Sequence, residues 1–445
     1  MKRHFTIVLL VVLALAARPA AAQNQVVVRN TYGYTAMTQS CVKVGCTVTA
    51  SLDGAQGQLF LVTPTQSSGG GGLLGGLLNI VFNLLNFITS LLQQPGVTNA
   101  EPNQVLHVQS GSLIPPGGLW DTTPVKYYGN TVWDGYVHQP AADIIELPDV
   151  QSAYRVTGSG VVVADIDTGI DPNHPAFQGV LVSGYDFTRN TAGGSEMVDL
   201  NRYQSTAAVV DGQNYPAQVN QTIVPVVDSS GAYILQQSQY AAFGHGTMTS
   251  GIIHLVAPSA KIMPLKAFNA NGTGSLSDVL RATYYAVQNG AKVVNMSFDF
   301  PTYSQEMNRA VNFANRSGVI CVASAGNDGK DELVYPAAIT SQVIGVASTN
   351  NQDQRSSFSN YGQDLVWVAA PGEAVISPYP YGTYAAGWGT SFSAPFVSGA
   401  AALLRSVQPG MNQAGAAQAL AHAQYVSSQL NHGRIDLYQA LSSIK

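Results

Sequence analysis

Four side chains of the kinds that carry acyl-transfer chemistry stand where this chain would present them: Asp167, His245, Asn327 and Ser391. Ser391 lies in Gly389-Thr390-Ser391-Phe392-Ser393-Ala394-Pro395, ahead of an apolar, alanine-rich run over 395–404 that reads as a buried helix. A serine at a helix start faces backbone N–H groups that have no partner inside the helix. Such donors suit a nucleophile whose attack on a carbonyl creates an oxyanion. His245 sits between Gly244 and Gly246 where the apolar run 248–256 begins, tightly placed and accessible, as a general base must be. Asp167 follows the strand-like run 161–164, in Asp165-Ile166-Asp167-Thr168-Gly169, and strand alternation puts Asp165 on the same side. Asn327 closes a third apolar run, 319–325, in Gly326-Asn327-Asp328-Gly329, and its amide can donate to an oxyanion.

Each of the four also fits an ordinary role: a capping serine, a capping or exposed histidine, a structural carboxylate, an Asn-Asp-Gly turn. What tells against coincidence is the set. All four fall at strand ends or helix starts of one alternating β/α region, where open α/β sheets place functional groups. His254, further along the run that His245 opens, reads as helix surface.

The elements around them come from composition and pattern. The chain has 445 residues, 46% hydrophobic and only 10% charged, with a formal net charge of -5. That length suits two or three domains. With no long basic run and no zinc-finger cysteine spacing, nucleic acid is excluded as a partner class. Lys2-Arg3, the apolar run 5–17 and Ala20-Ala21-Ala22 read as a secretory signal peptide over 1–22, cleaved before Gln23; an uncleaved anchor is the alternative. Cys41 and Cys46 are spaced for a small disulfide loop, whereas Cys321 lies in an apolar run as a buried thiol.

Segments 25–28, 47–51 and 58–62 read as strands, and 67–72 as a flexible Ser/Gly linker. Segment 73–94 carries no charge. Its polar residues Asn79, Asn83, Asn86, Ser90 and Gln93 fall on one narrow helical stripe, and Pro95-Gly96 ends it. A helix packed on the neighbouring strands is the favoured reading, with membrane or surface association and disorder as the alternatives. A last strand covers 102–108, a linker 111–118, and 127–147 has no assignable pattern. The expected domains are 23–110, a small α+β unit; 111–148, a linker or extension; and 149–445, a three-layer α/β domain with a mostly parallel sheet.

From about residue 149 onward the chain resembles the subtilisin-like serine peptidases, the subtilases. The chain order Asp, His, Ser is that of their triad, not of the chymotrypsin or α/β-hydrolase type. The motifs are Asp167-Thr168-Gly169 with His174-Pro175, His245-Gly246-Thr247 with Gly251, Ala325-Gly326-Asn327, and Gly389-Thr390-Ser391 with Pro395; Gly433-Arg434-Ile435-Asp436 is similar to the family's closing segment. The resemblance implies a secreted serine endopeptidase acting on polypeptides. Ser391 would be its nucleophile, His245 its base, Asp167 the orienting acid, and Asn327 with the Ser391 N–H its oxyanion hole. It further implies a substrate strand between Gly272, Gly274 and Leu276 on one edge and Ser297, Phe298 and Asp299 on the other, with Ser324, Ala325 and Gly326 lining the pocket before the scissile bond. Segment 23–108 resembles a subtilase propeptide, the chain's own folding partner and inhibitor, whose tail would lie in the cleft. A permanent accessory domain is the alternative for it.

Three departures qualify the resemblance. Asp299 and Val334 stand where the family usually has a neutral substrate edge and a glycine pocket floor, and are expected to favour small or medium residues with some taste for basic groups. Asp165 takes a usually apolar position beside the acid. No cofactor is expected: the loop that binds calcium tightly in subtilisins is missing after His245, and Asp364 leaves room only for a weak calcium site. The interval 187–242 reads as a surface insertion. A non-catalytic or permanently self-inhibited binding protein on the same scaffold is the rival function.

Overall fold

The computed structural model describes residues 25–65, 73–107, 116–200, 222–225 and 240–445, with the backbone alone for 73–82, 105–107 and 222–225. The signal-peptide segment and the Ser/Gly linker 67–72 lie outside the described residues.

The N-terminal unit runs β1 (Val26–Asn30), α1 (Tyr34–Val44), β2 (Cys46–Ser51), β3 (Leu59–Pro64), α2 (Leu73–Leu92) and β4 (Val97–Pro102). Its antiparallel sheet has the order β2-β3-β1-β4. Alternation along β1 divides its side chains. Val26 and Val28 pack with Met37, Phe60, Leu84 and Leu91 under the two helices, while Val27 joins Leu59 and Leu61 in the core of the larger domain. A disulfide joins Cys41 to Cys46 at the end of α1. Among the described residues no helix is long and apolar enough to cross a membrane, and α2 lies against β4 and α1.

The last strand of this unit differs from expectation. Of the expected strand 102–108, β5 covers Val105–His107 and leaves the sheet; the sheet's own last strand is β4, which ends at Pro102. The switch is fixed at Asn103, whose N–H donates to Gln25 O at 2.9 Å and whose Oδ1 accepts the Ser277 N–H at 2.9 Å. The segment without a pattern, 127–147, is built from pieces too short to show a period. These are the hairpin β6 (Pro124–Tyr127) and β7 (Asn130–Trp133), the one-turn helices Asp134–Val137 and Pro140–Ile144, and the start of Leu147–Tyr154.

The larger domain is a three-layer α/β structure. Its elements are β8 (Val162–Asp167), β9 (Tyr185–Asp186), β10 (Thr191–Ala192), β11 (Thr222–Pro225), α3 (His245–Val256), β12 (Lys261–Lys266), β13 (Thr273–Ser275), α4 (Leu276–Gln288), β14 (Val293–Met296), α5 (Gln305–Arg316), β15 (Ile320–Ser324), β16 (Ile344–Thr349), β17 (Val368–Pro371), β18 (Val375–Tyr379), β19 (Thr383–Trp388) and α6 (Thr390–Val407). The central sheet has the order β10-β9-β12-β8-β14-β15-β16-β17, parallel throughout except at β10. Burial on both faces explains its apolar strands. Val163 packs with Met248, Ile252 and Phe396 of α3 and α6; Ala164 and Ile166 face the opposite core with Leu280 of α4 and Val311 of α5. The carboxyl ends of β8, β14 and β15 and the starts of α3 and α6 therefore meet at one edge of the sheet.

Candidate active site

Asp167 ends β8 and is buried, as are His245 and Ser391, at 1%, 0% and 1% exposed. His245 is the first residue of α3, behind Gly244, whose φ of 89° is open mainly to glycine. The turn after Asp167 and the start of α3 touch: a Cβ on Gly246 would lie 2.0 Å from Gly169 O, so only glycine allows the approach. Through that approach His245 Nδ1–H donates to Asp167 Oδ1 at 2.7 Å, and the same oxygen accepts the Thr168 N–H at 2.6 Å. His245 Nε2 is buried with no hydrogen-bond partner among the described residues. The imidazole centroid stands 5.4 Å from the ring of Phe392, the residue after Ser391.

Ser391 is the second residue of α6. Its hydroxyl donates to Ser297 O at 3.0 Å, and Ser297 Oγ donates back to Ser391 O at 2.9 Å. This is a resting geometry, since catalytic hydrogen bonds often tighten only when substrate is present. Asn327 Oδ1 accepts the Thr390 N–H at 2.8 Å and the Thr390 hydroxyl at 2.9 Å. With its oxygen held by the residue before Ser391, the amide presents its NH2 as the donor end. That is the end an oxyanion needs.

Gly326 is one of the residues expected to line the pocket. A Cβ there would lie 2.6 Å from Asn360 Nδ2, 3.1 Å from Asp299 Oδ2 and 3.3 Å from Val334 Cγ2. Asp299 and Val334 are therefore gathered at one spot, although 35 residues of sequence separate them (334 − 299 = 35). Burial, and then the Asp328 carboxylate, push the Asp299 carboxyl well above its usual range. Ser324 and Ala325 lead into Gly326 and are buried. The side chains of Leu276 and Phe298 are core, Phe298 packing on Phe268 at 5.0 Å, so only their backbone can meet a peptide. The other edge is already occupied. β5 pairs antiparallel with β13, Leu106 opposite Gly274 and His107 opposite Thr273, next to Gly272; the Leu276 N–H donates to Gln104 O at 2.8 Å.

Two expectations need correction. The interval 187–242 is not all surface: Glu196 and Asp199 are buried directly under the site. Glu196 Oε2 accepts the Gly244 N–H at 2.7 Å and the Thr168 hydroxyl at 3.1 Å, and Oε1 accepts the Thr247 hydroxyl. One carboxyl thus ties the turn after Asp167 to the start of α3; burial pushes it up to about 8 against those bonds. Beside it, the wholly buried Lys266 donates to Thr168 O, Phe268 O and Asp199 Oδ2 at 2.7, 2.7 and 2.8 Å. Nothing local in the polar stretch 187–242 distinguishes Glu196. His254, secondly, is core, not helix surface. It is 1% exposed, with both ring nitrogens lacking partners among the described residues, and burial lowers it to about 4. Cys321 is a free buried thiol, pushed up to about 12.

Among the described residues no three His, Cys, Asp or Glu side chains come together to hold a metal ion, and Asp364 belongs to no such group.

Known proteins carry the same pattern. A family model described as the subtilase family matches residues 158–436. A thermophilic serine proteinase of Bacillus sp. (strain AK1) is 31% identical over 81% of this chain and 77% of its own length. Thermitase of Thermoactinomyces vulgaris is 34% identical over 56% of this chain and 76% of its own, and subtilisin Savinase of Lederbergia lenta 34% over 57% and 79%. With the motifs, the parallel sheet and the matched region in agreement, the chain belongs to the subtilase family of serine peptidases.

Proposed function

We propose that this chain is a secreted endopeptidase made as a zymogen, with Ser391, His245 and Asp167 as its triad. The carrying observation is the 2.7 Å bond from His245 to Asp167 beside the start of the Ser391 helix. Ser391 Oγ turns from Ser297 O toward His245 Nε2, gives up its proton there and attacks the scissile carbonyl. Asp167 fixes the imidazole and stabilises the imidazolium. Asn327 Nδ2 and the Ser391 N–H take the oxyanion, and the leaving amine collects the proton from Nε2. Water then repeats the sequence on the acyl-enzyme.

The zymogen reading has three supports. β5 already sits on the edge strand a peptide would use, as in recognition by strand addition. The described part of the N-terminal unit also docks on the larger domain: Glu101 accepts the Ser304 hydroxyl at 2.6 Å and the Gln305 N–H at 3.0 Å at the start of α5, where an anion is favoured, and Arg29 donates to Glu306 at 3.0 Å. The triad, finally, is buried. The Cys41–Cys46 disulfide supports an oxidising compartment.

For specificity, Val334 at the Gly326 wall favours a shallow pocket for small or medium side chains, and a basic group brought near Asp299 would favour its ionised form against the burial that raises it. Profiling on a peptide library is expected to show this, and Val334→Gly to raise cleavage after large aromatics by about tenfold or more. A wild-type profile that already prefers large aromatics sinks the assignment. The function itself is tested by treating the full-length protein with a fluorophosphonate and sequencing it by mass spectrometry. The expected result is a label on Ser391 and a new N-terminus within 108–149. An unlabelled chain that keeps its N-terminal unit would instead be a locked zymogen or a binding protein, and treatment with an added protease separates those two.

A further inference from the structure

Val161 and Val163 precede Asp165 on the same strand face, so the pattern calls for an apolar residue where a carboxylate stands, 2% exposed. A buried carboxylate is costly unless hydrogen bonds offset its lost hydration. Asp165 has three. Thr249 and Ser250 donate their hydroxyls to Oδ2 at 2.7 and 2.8 Å, and Asn295 Nδ2 donates to Oδ1 at 2.9 Å. Thr249 and Ser250 lie one turn along α3 from His245. Asn295 ends the link on the other side, because its Oδ1 accepts the hydroxyl of Ser398 on α6 at 2.8 Å. Its Nδ2 also donates to Ser297 Oγ at 2.9 Å, and Ser297 is the residue bonded twice to Ser391. One carboxylate therefore connects the histidine's helix directly, and the serine's helix by two routes through Asn295.

All three partners donate, which suits the ionised acid. A proton on Asp165 would face the Asn295 NH2 or require the hydroxyls to turn. The charged groups around it are few: Asp167 from its own strand, with His245 of α3 beyond it. Beside it on β12 is Pro264, and β14 and α6 offer only neutral Asn295, Ser297 and Ser398. Burial first, then Asp167, push the Asp165 carboxyl up to about 7.

We propose that Asp165 is a positioning residue for the triad: ionised, it holds the starts of α3 and α6 in working register, and on protonation that register is lost. This rests on the triad reading above. Because the folded-state value is raised, the native chain keeps a proton that the unfolded chain sheds at about pH 4. Asp165 thus costs stability progressively as pH rises from there toward 7, and the working form is the less stable one. A residue kept at the expense of stability is what a functional role requires.

The test is the acid limb of kcat/KM for the enzyme matured from the full-length chain, on an uncharged peptide substrate, between about pH 5 and 7. If His245 alone must lose a proton, log kcat/KM changes by about one per pH unit; if Asp165 must too, by about two. The expected wild-type limb approaches two. In Asp165→Asn it falls to about one, with kcat lower by about 10- to 100-fold and KM within about threefold. A wild-type limb of about one overturns the proposal without any variant, so a poorly folding mutant does not protect it. So does an Asp165→Asn enzyme with the wild-type limb and rate. Labelling of Ser391 by the fluorophosphonate, run alongside, separates the cases: label with a limb of about one removes Asp165's role alone, and no label removes the triad reading with it.

Discussion

Ser391→Ala is expected to lower kcat by about a million-fold, the size known for loss of the corresponding hydroxyl in a subtilisin, and to leave the chain unprocessed at its N-terminal unit. The reasoning is local. Ser391 Oγ is the only hydroxyl of its turn placed between Ser297 O and the helix start that would receive the oxyanion. Its removal leaves Ser297 O without one donor, a small structural loss next to the chemical one. Ser393, two residues on, has a buried hydroxyl without a partner among the described residues, so Ser393→Ala is expected to keep activity within about threefold. Steady-state assays of both variants on one chromogenic peptide check this. Loss on Ser393→Ala with retention on Ser391→Ala would falsify the assignment of the nucleophile.

The second large effect is expected of Asp167→Asn, about ten-thousand-fold in kcat with KM within about threefold. Asp167 Oδ1 accepts two donors at once, His245 Nδ1–H and the Thr168 N–H. With the asparagine NH2 in the place of Oδ1, the imidazole is driven into the tautomer with the proton on Nε2, which accepts nothing from Ser391, and the Thr168 N–H loses its acceptor. The kcat and KM of the purified variant decide. A fall of less than about tenfold would mean that the imidazole is oriented by another group, and Asp165 would be the first to examine.

How much of this was readable beforehand follows the physics of each feature. Asp167, His245, Asn327 and Ser391 stood out because close backbone approaches force glycines beside them, and Gly246 against Gly169 shows why. The parallel sheet was readable from strands buried on both faces. The helix Tyr34–Val44 was not, since only Met37, Ser40 and Cys41 are buried on it and no apolar stripe forms. Glu196 was hidden for a different reason: its partners are Gly244, Thr168 and Thr247, all remote in sequence, and a single acid in a polar stretch has no period. The backbone pairing of β5 with an edge strand needed the tail to break from its sheet at Asn103, which hydrophobic pattern does not encode.

That strand has a quantitative consequence. β5 is covalently joined to the domain whose edge it covers, so it competes with a peptide at a local concentration that does not fall as the protein is diluted. A cut between the two units changes the law it obeys. The released piece keeps the Glu101 and Arg29 contacts but now occupies the edge according to its bulk concentration. If the chain is processed as proposed, the enzyme is expected to be quiet when concentrated and to gain activity on dilution.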